Sequence, residues 1–317
     1  TIGGNRIMVY TLTVAPCIDY RLNLDGKPLV IGDVNRPVSW EKRIGGKGIS
    51  VGSMLTNLKV DNIPMVAVGG PIGEEIKKIV EDTYGPNKAI YLETEAESRM
   101  NIIILADTDT RLDPKAPKIK DSELNRIYDY LQKNLKKDDI LVLSGSLGQE
   151  KETLYADLMD HISSIGCTTI VDSVGNALKA TFKNHPLFIK PNDQELGDLI
   201  GHKVTTDEEI IAGGLELLDQ GPQNVVVSMG GRGSFFFAQD KSVYFISAAK
   251  GYKFINPVGT GDSSIAGFIK GIVEKQDIVT CMKWMAAAGG ATAFSHGFGS
   301  LELFNELVPQ IKVEKLK

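Results

Sequence analysis

The sequence predicts an α/β fold in three layers: a mostly parallel central sheet with helices on both faces. Two observations carry this. From about residue 139, short β-branched runs alternate with amphipathic segments, and strand, helix, strand repetition of that kind implies parallel pairing. No Pro/Gly/Ser linker, internal repeat or low-complexity tract divides the 317 residues, so they read as one large domain.

Taken in order, residues 1–7 carry little pattern and read as a segment added ahead of a native start at Met8, where a strand-like run continues to Val14. The first 110 residues are less regular. Tyr10 to Val14, Val34 to Trp40 and Asn101 to Ala106 are extended runs, with a helix-like segment from Gly48 to Leu58 among them. These runs read as a small second sheet, its strands within about residues 10–40 and 99–110, inserted into a single domain of residues 8–317. Leu124, Ile127, Tyr128, Leu131 and Leu135 share one helical face, as do Leu154, Leu158 and Ile162. Ile140 to Leu143, Thr168 to Val171, Leu187 to Lys190 and Val225 to Ser228 read as buried strands bounded by Gly, Asp or Pro. In such sheets the ligand lies beyond the C-terminal strand ends, so the informative residues follow each strand.

Composition excludes several classes. Hydrophobic residues make up 42% and charged residues 24%, close to the globular average, which removes support for disorder or a coiled coil. Net charge is −5 with basic residues scattered, which argues against nucleic-acid or anionic-membrane binding. Cys17, Cys167 and Cys281 are far apart and follow no metal-site spacing, so they read as reduced thiols. With no run of roughly 18 apolar residues and no secretory pattern, the expectation is a cytoplasmic protein.

The segment that carries most chemistry is Asn256-Pro-Val-Gly-Thr-Gly-Asp-Ser-Ser264, followed by the helical run Ile265 to Val273. Gly259 and Gly261 permit tight backbone geometry, and a helix start aims unpaired N–H groups and a positive dipole end at one point. Asp262 stands at the rim of that anion site, either as a base or simply as a helix cap. Gly45-Gly-Lys-Gly48 precedes a second helix-like run. Neither group is a P-loop or a dinucleotide fingerprint, which weakens an oxidoreductase reading.

Six segments in order resemble the PfkB (ribokinase-like) carbohydrate kinase family, in its branch of tagatose-6-phosphate kinases and 1-phosphofructokinases. They are Thr11 to Asp19, Val34 to Arg36, Gly45 to Ile49, Leu143 to Leu147, Lys190 to Glu195 and Asn256 to Ser263. The resemblance implies a ribokinase-like fold whose small β-sheet acts as a lid, and transfer of the ATP γ-phosphate to a sugar hydroxyl. It implies Asp262 as the base, with Gly259, Thr260 and Gly261 forming an anion hole. It places ATP against Lys190, Asn192, Glu195, Ser228, Gly230, Gly233 and Gly290, with Asn192 and Glu195 organising Mg²⁺ mostly through water. On the sugar side it implies Asp19, Asn101, Gly45, Gly46 and Ser50, with Arg36 and Arg99 on the substrate phosphate and Lys47 a further candidate there.

Departures concentrate on the sugar side. Ser50 replaces a common Asn, Leu147 to Glu150 replaces a Pro-Pro-Gly turn, and Leu112 to Pro117 and Asp172 to Gly175 also differ. The implied reaction is conversion of tagatose 6-phosphate to the 1,6-bisphosphate, with 1-phosphofructokinase activity or a non-catalytic sugar-phosphate sensor as alternatives. The implied assembly is a homodimer through the lid sheet, without nucleic-acid or membrane partners.

Overall fold

The computed structural model describes residues 6–145, 147 and 151–317. The departure at Leu147 to Glu150 therefore lies mostly outside the described residues, as does Ser146 of the fourth family-like segment.

The N-terminal half alternates between two sheets. β1 (Val9–Thr13) is followed by β2 (Cys17–Asn23), β3 (Ser39–Gly45), α1 (Lys47–Asn57), β4 (Asn62–Val68), α2 (Gly70–Tyr84), β5 (Ile90–Glu93), β6 (Arg99–Leu105) and β7 (Thr110–Leu112). Regular crossovers follow: α3 (Asp121–Asn134), β8 (Ile140–Ser144), α4 (Leu154–Ile162), β9 (Thr168–Asp172), α5 (Gly175–Lys179), α6 (Asp193–Ile200), α7 (Asp207–Leu218) and β10 (Val225–Ser228). The chain ends with β11 (Ser234–Phe237), β12 (Val243–Ile246), α8 (Thr260–Val273), α9 (Ile278–Ala293), α10 (Leu301–Leu307) and β13 (Val313–Lys315).

The central sheet runs β5-β4-β1-β8-β9 with every pairing parallel. Single parallel bridges through Ile189 extend it to β10, beyond which β11, β12 and β13 add antiparallel. Side-chain alternation divides the core between the two faces. Tyr10, Leu12, Leu141 and Leu143 pack with Leu124 and Leu131 of α3 and with Leu154 and Leu158 of α4. Val9, Ile140 and Val142 pack instead with Val51, Met54 and Leu55 of α1 and with Ile265, Phe268 and Ile269 of α8. Period-two alternation sending apolar residues both ways requires helices on both sides, as the sequence predicts.

Three local expectations are corrected. Tyr10 to Val14 does not belong to the small sheet, because all five residues of β1 are buried and it pairs with β4 and β8 at the centre of the main one. The run Val34 to Trp40 becomes a strand only at Ser39, since Pro37 lacks an N–H and a loop precedes it. Leu187 to Lys190 sits between β9 and β10 but makes bridges only, being framed by Pro186 and Pro191.

The small sheet has order β3-β2-β6-β7, with β2 and β6 parallel and both outer pairs antiparallel. Its β2–β6 register sets Cys17 opposite Arg99 and Asp19 opposite Asn101. Among the described residues no helix is long and apolar enough to cross a membrane.

Candidate active site

Two helices begin at the C-terminal edge of the central sheet. Helix α8 starts after Gly259, whose φ of 80° is left-handed backbone that favours glycine. Asn256 braces the turn, its Oδ1 accepting the Val258 N–H at 3.0 Å. The first main-chain bond here is Ser263 N–H to the Gly259 carbonyl at 2.8 Å, so the amides of Thr260, Gly261 and Asp262 precede the ladder and have no partner among the described residues. Helix α1 starts after Gly46, at φ 141°, where a Cβ would sit 2.7 Å from Thr13 Cγ2 at the end of β1.

Asp262 lies in the first turn of α8 yet does not cap it, because the N-cap is Gly259 and no side chain caps this helix. Its carboxyl is buried at 8% exposure. Burial first, then the charge of Asp172, raise its pKa to about 7, against the opposing pull of Lys47 and Lys190 and of the nearby Ser50 hydroxyl, whose hydrogen bond in the structure runs to the Gly46 carbonyl at 3.1 Å. Those five residues form one charged cluster at the start of α8. Lys47 Nζ stands 3.2 Å from Asp172 Oδ2. Burial works against the Lys47 charge, but Asp172 and Asp262 more than offset it and raise the Lys47 pKa. Lys190 reaches the same point from the other side, since a Cβ on Gly261 would lie 2.9 Å from its Nζ.

A cleft of about 270 Å³ opens beside this centre. Lys190, Ser228, Gly230, Gly233, Thr260, Gly261 and Gly290, all selected from the sequence, line it, together with Phe254, Met285 and Phe294. Apolar walls with a cation and free amides at one end suit a nucleotide: a base on the wall and phosphates at the helix start. Asn192 and Glu195 form a capping box at the start of α6, Asn192 Oδ1 accepting the Glu195 N–H at 2.7 Å and Glu195 Oε2 the Asn192 N–H at 2.9 Å. The second Glu195 oxygen has no partner among the described residues. Among those residues no cluster of three or more His, Cys, Asp or Glu could hold a metal outright. Mg²⁺, which retains waters and leans on substrate phosphates, fits a lone carboxylate of this kind.

Of the residues expected on the sugar side, Asp19, Gly45, Arg99 and Asn101 lie on the small sheet, while Gly46, Lys47 and Ser50 lie at the start of α1. Asn101, 1% exposed, donates to Asp19 Oδ1 at 2.7 Å and to Cys17 Sγ at 3.2 Å. Gly45 closes the group, for a Cβ there would meet Cys17 Sγ at 2.5 Å. Arg99 donates to the Pro114 carbonyl at 3.0 Å while its buried Nε and Asn101 Oδ1 have no partner among the described residues. Arg36 lies on the exposed loop between β2 and β3 and makes no hydrogen bond or ion pair to this group among the described residues.

Sequence reasoning missed three residues. Asp172 directly follows an apolar strand, so the rule of ligand sites at strand ends could have found it. Arg111 stands 3.5 Å from Asp19 Oδ1 only because β7 folds back along β6, which nothing in the sequence reveals. Cys17 is marked in the sequence only as a reduced thiol. Its thiol is pushed up to about 11, first by burial and then by Asp19.

Helix starts, a buried carboxylate between two lysines, and a nucleotide-sized cleft beside a polar pocket together define a phosphotransferase with an alcohol acceptor. The model of the pfkB family carbohydrate kinases matches residues 5–303, and the chain belongs to that family. It is 32% identical to a 1-phosphofructokinase of Bacillus subtilis, over 98% of this chain and 100% of the relative. It is also 32% identical to a tagatose-6-phosphate kinase of Staphylococcus epidermidis, over 96% of this chain and 99% of the relative. The solved structure of phosphofructokinase-2 from Escherichia coli superposes with a TM-score of 0.87 at 23% identity, covering 96% of this chain and 99% of that one, a likeness of fold.

Proposed function

We propose that the protein transfers the γ-phosphate of ATP to a hydroxyl of a ketohexose phosphate, with tagatose 6-phosphate as acceptor. The observation that carries the reading is the Asp262 carboxyl buried at the start of α8 between Lys47 and Lys190. With a pKa near 7 it is poised to take a proton from the attacking hydroxyl, and the amides of Gly259, Thr260 and Gly261 face the charge that develops on the transferred group. Such transfer needs positioning and electrostatics more than covalent participation. Lys190, Ser228, Gly230, Gly233 and Gly290 hold the nucleotide. Mg²⁺, held through water by Glu195 and Asn192, would neutralise phosphate charge.

Asp19 and Asn101, aligned by their own hydrogen bond, hold sugar hydroxyls, with Gly45 and Gly46 letting the backbone approach and Ser50 beside the base. Arg99 and Arg111 supply guanidinium forks for the phosphate already on the acceptor, and Arg36 adds a third from its loop. A second acceptor, fructose 1-phosphate, is favoured by the Bacillus relative's activity. The assembly is a homodimer through the small sheet. Its β3 edge is unpaired, and Trp40 of β3 with Val34 and Val38 of the loop before it are all more than half exposed, as is Leu112 on β7 at the opposite edge. The three free cysteines suit a cytoplasmic location.

The test is coupled detection of ADP with tagatose 6-phosphate, fructose 1-phosphate, fructose 6-phosphate and unphosphorylated hexoses. Turnover confined to a ketohexose phosphate supports the reading. ADP release without sugar would indicate an ATPase, and none with any acceptor a sensor.

A further inference from the structure

Helix α1 begins in an unfavourable way. Its N-cap is Gly46 without a side-chain cap, its first turn holds no acid, and its first residue is Lys47, a cation against the positive end of the helix dipole. Helix stability does not explain that lysine, so its reason lies off the helix. Asp172 supplies it. The Asp172 side chain is only 5% exposed and its one ion-pair partner among the described residues is Lys47, at 3.2 Å. Strand β9 fixes the aspartate, with Asp172 registered against Ser144 and its carbonyl accepting the Gly145 N–H at 2.9 Å.

We propose that Asp172 is a positioning residue of the phosphoryl-transfer centre: its carboxylate ties the Lys47 ammonium down, keeping it off Asp262 while leaving it beside the transferring group. The charges facing Asp262 come from three elements. Lys47 and the Ser50 hydroxyl project from α1, Asp172 from the end of β9, and Lys190 from the segment after Ile189, while Glu195 of α6 acts on Lys47. A flexible four-carbon stem lets a released Lys47 swing onto Asp262, where a direct ion pair would hold the base in its charged, weakly basic form. Asp172 and Asp262 thus compete for one cation, and the rigid strand end wins.

This rests on Asp262 being the base, and the experiment separates the two claims. The pH profile of kcat/KM is measured by ADP release for the wild type, Asp172→Asn, Asp172→Glu, Lys47→Met and Asp262→Asn, with circular dichroism confirming folding. A base works only when deprotonated, so activity falls as pH drops through its pKa. Asp172→Asn removes a like charge and frees the cation, so its acid limb moves down by about one pH unit, and kcat falls about tenfold. Lys47→Met removes the cation, so its limb moves up. Asp172→Glu restores the wild-type limb. Acid limbs unmoved in both Asp172→Asn and Lys47→Met, with only melting temperature lowered, would reduce the pair to a structural salt bridge and overturn the inference. If Asp172→Asn does not fold, the direction of the Lys47→Met shift decides. An inactive Asp262→Asn beside unmoved limbs sinks this inference alone, whereas near-normal turnover by Asp262→Asn sinks the base assignment with it.

Discussion

Replacing Asp262 by Asn exchanges activity for stability, and both changes follow from the same buried carboxyl. In the folded protein burial and the neighbouring Asp172 raise its pKa to about 7, from an ordinary 3.8. A shift of roughly three units at about 1.4 kcal/mol each amounts to at most about 4 kcal/mol, shared between the two carboxylates. The sign follows from which state binds the proton. Below pH about 4 both folded and unfolded chains are protonated and there is no penalty. As pH rises towards 7 the unfolded carboxyl ionises first, the wild type loses stability, and above 7 the loss is constant. Denaturant unfolding of both proteins should therefore show Asp262→Asn more stable at pH 8, the gap shrinking as pH falls to about 4. The same variant loses about 10²–10⁴ of the turnover. Equal stability of the two proteins at pH 8, or a gap that does not change with pH, would refute the reasoning.

Other outcomes follow from the surrounding residues. Arg99→Ala, Arg111→Ala and Arg36→Ala each raise KM for the phosphorylated acceptor about 10- to 100-fold and leave KM for ATP unchanged, which initial-rate kinetics read directly. Burial pushes Cys17, Cys167 and Cys281 all up to about 11, so about one thiol in a thousand is ionised at pH 8 and iodoacetamide labels the native chain far more slowly than the unfolded one. Trp40, 65% exposed and packed edge-on against Tyr20, anchors the proposed dimer face, so Trp40→Glu gives a monomer by light scattering where the wild type is a dimer.

The crossovers after residue 139 were legible because apolar period and segment length agree there. The placement of β1 was not, because Val-Tyr-Thr-Leu-Thr is a strand-forming run whose threonines at 11 and 13 give no sign that all five residues are buried at the centre of the main sheet. The nucleotide side was legible in part: Lys190, Ser228, Gly230 and Gly233 come in compact segments at strand ends and, with Gly290, line one cleft, but Asn192 and Glu195 are not among the residues lining it. The sugar side was less so. Asp19, Asn101 and Arg111 meet only through the pairing of β2, β6 and β7, contacts between segments some 80 to 90 residues apart that no local pattern encodes. Glu195 shows the opposite case, in which an acid expected to organise a metal also serves as an ordinary helix cap.

The decisive contact is that of the Asp262 carboxylate with the acceptor hydroxyl. A crystal structure with a non-hydrolysable ATP analogue, Mg²⁺ and tagatose 6-phosphate would show an Asp262 oxygen within about 2.6–3.2 Å of the hydroxyl that faces the γ-phosphate. An acceptor hydroxyl held instead by Asp19 or Asp172, with Asp262 turned away from both reactants, would contradict it.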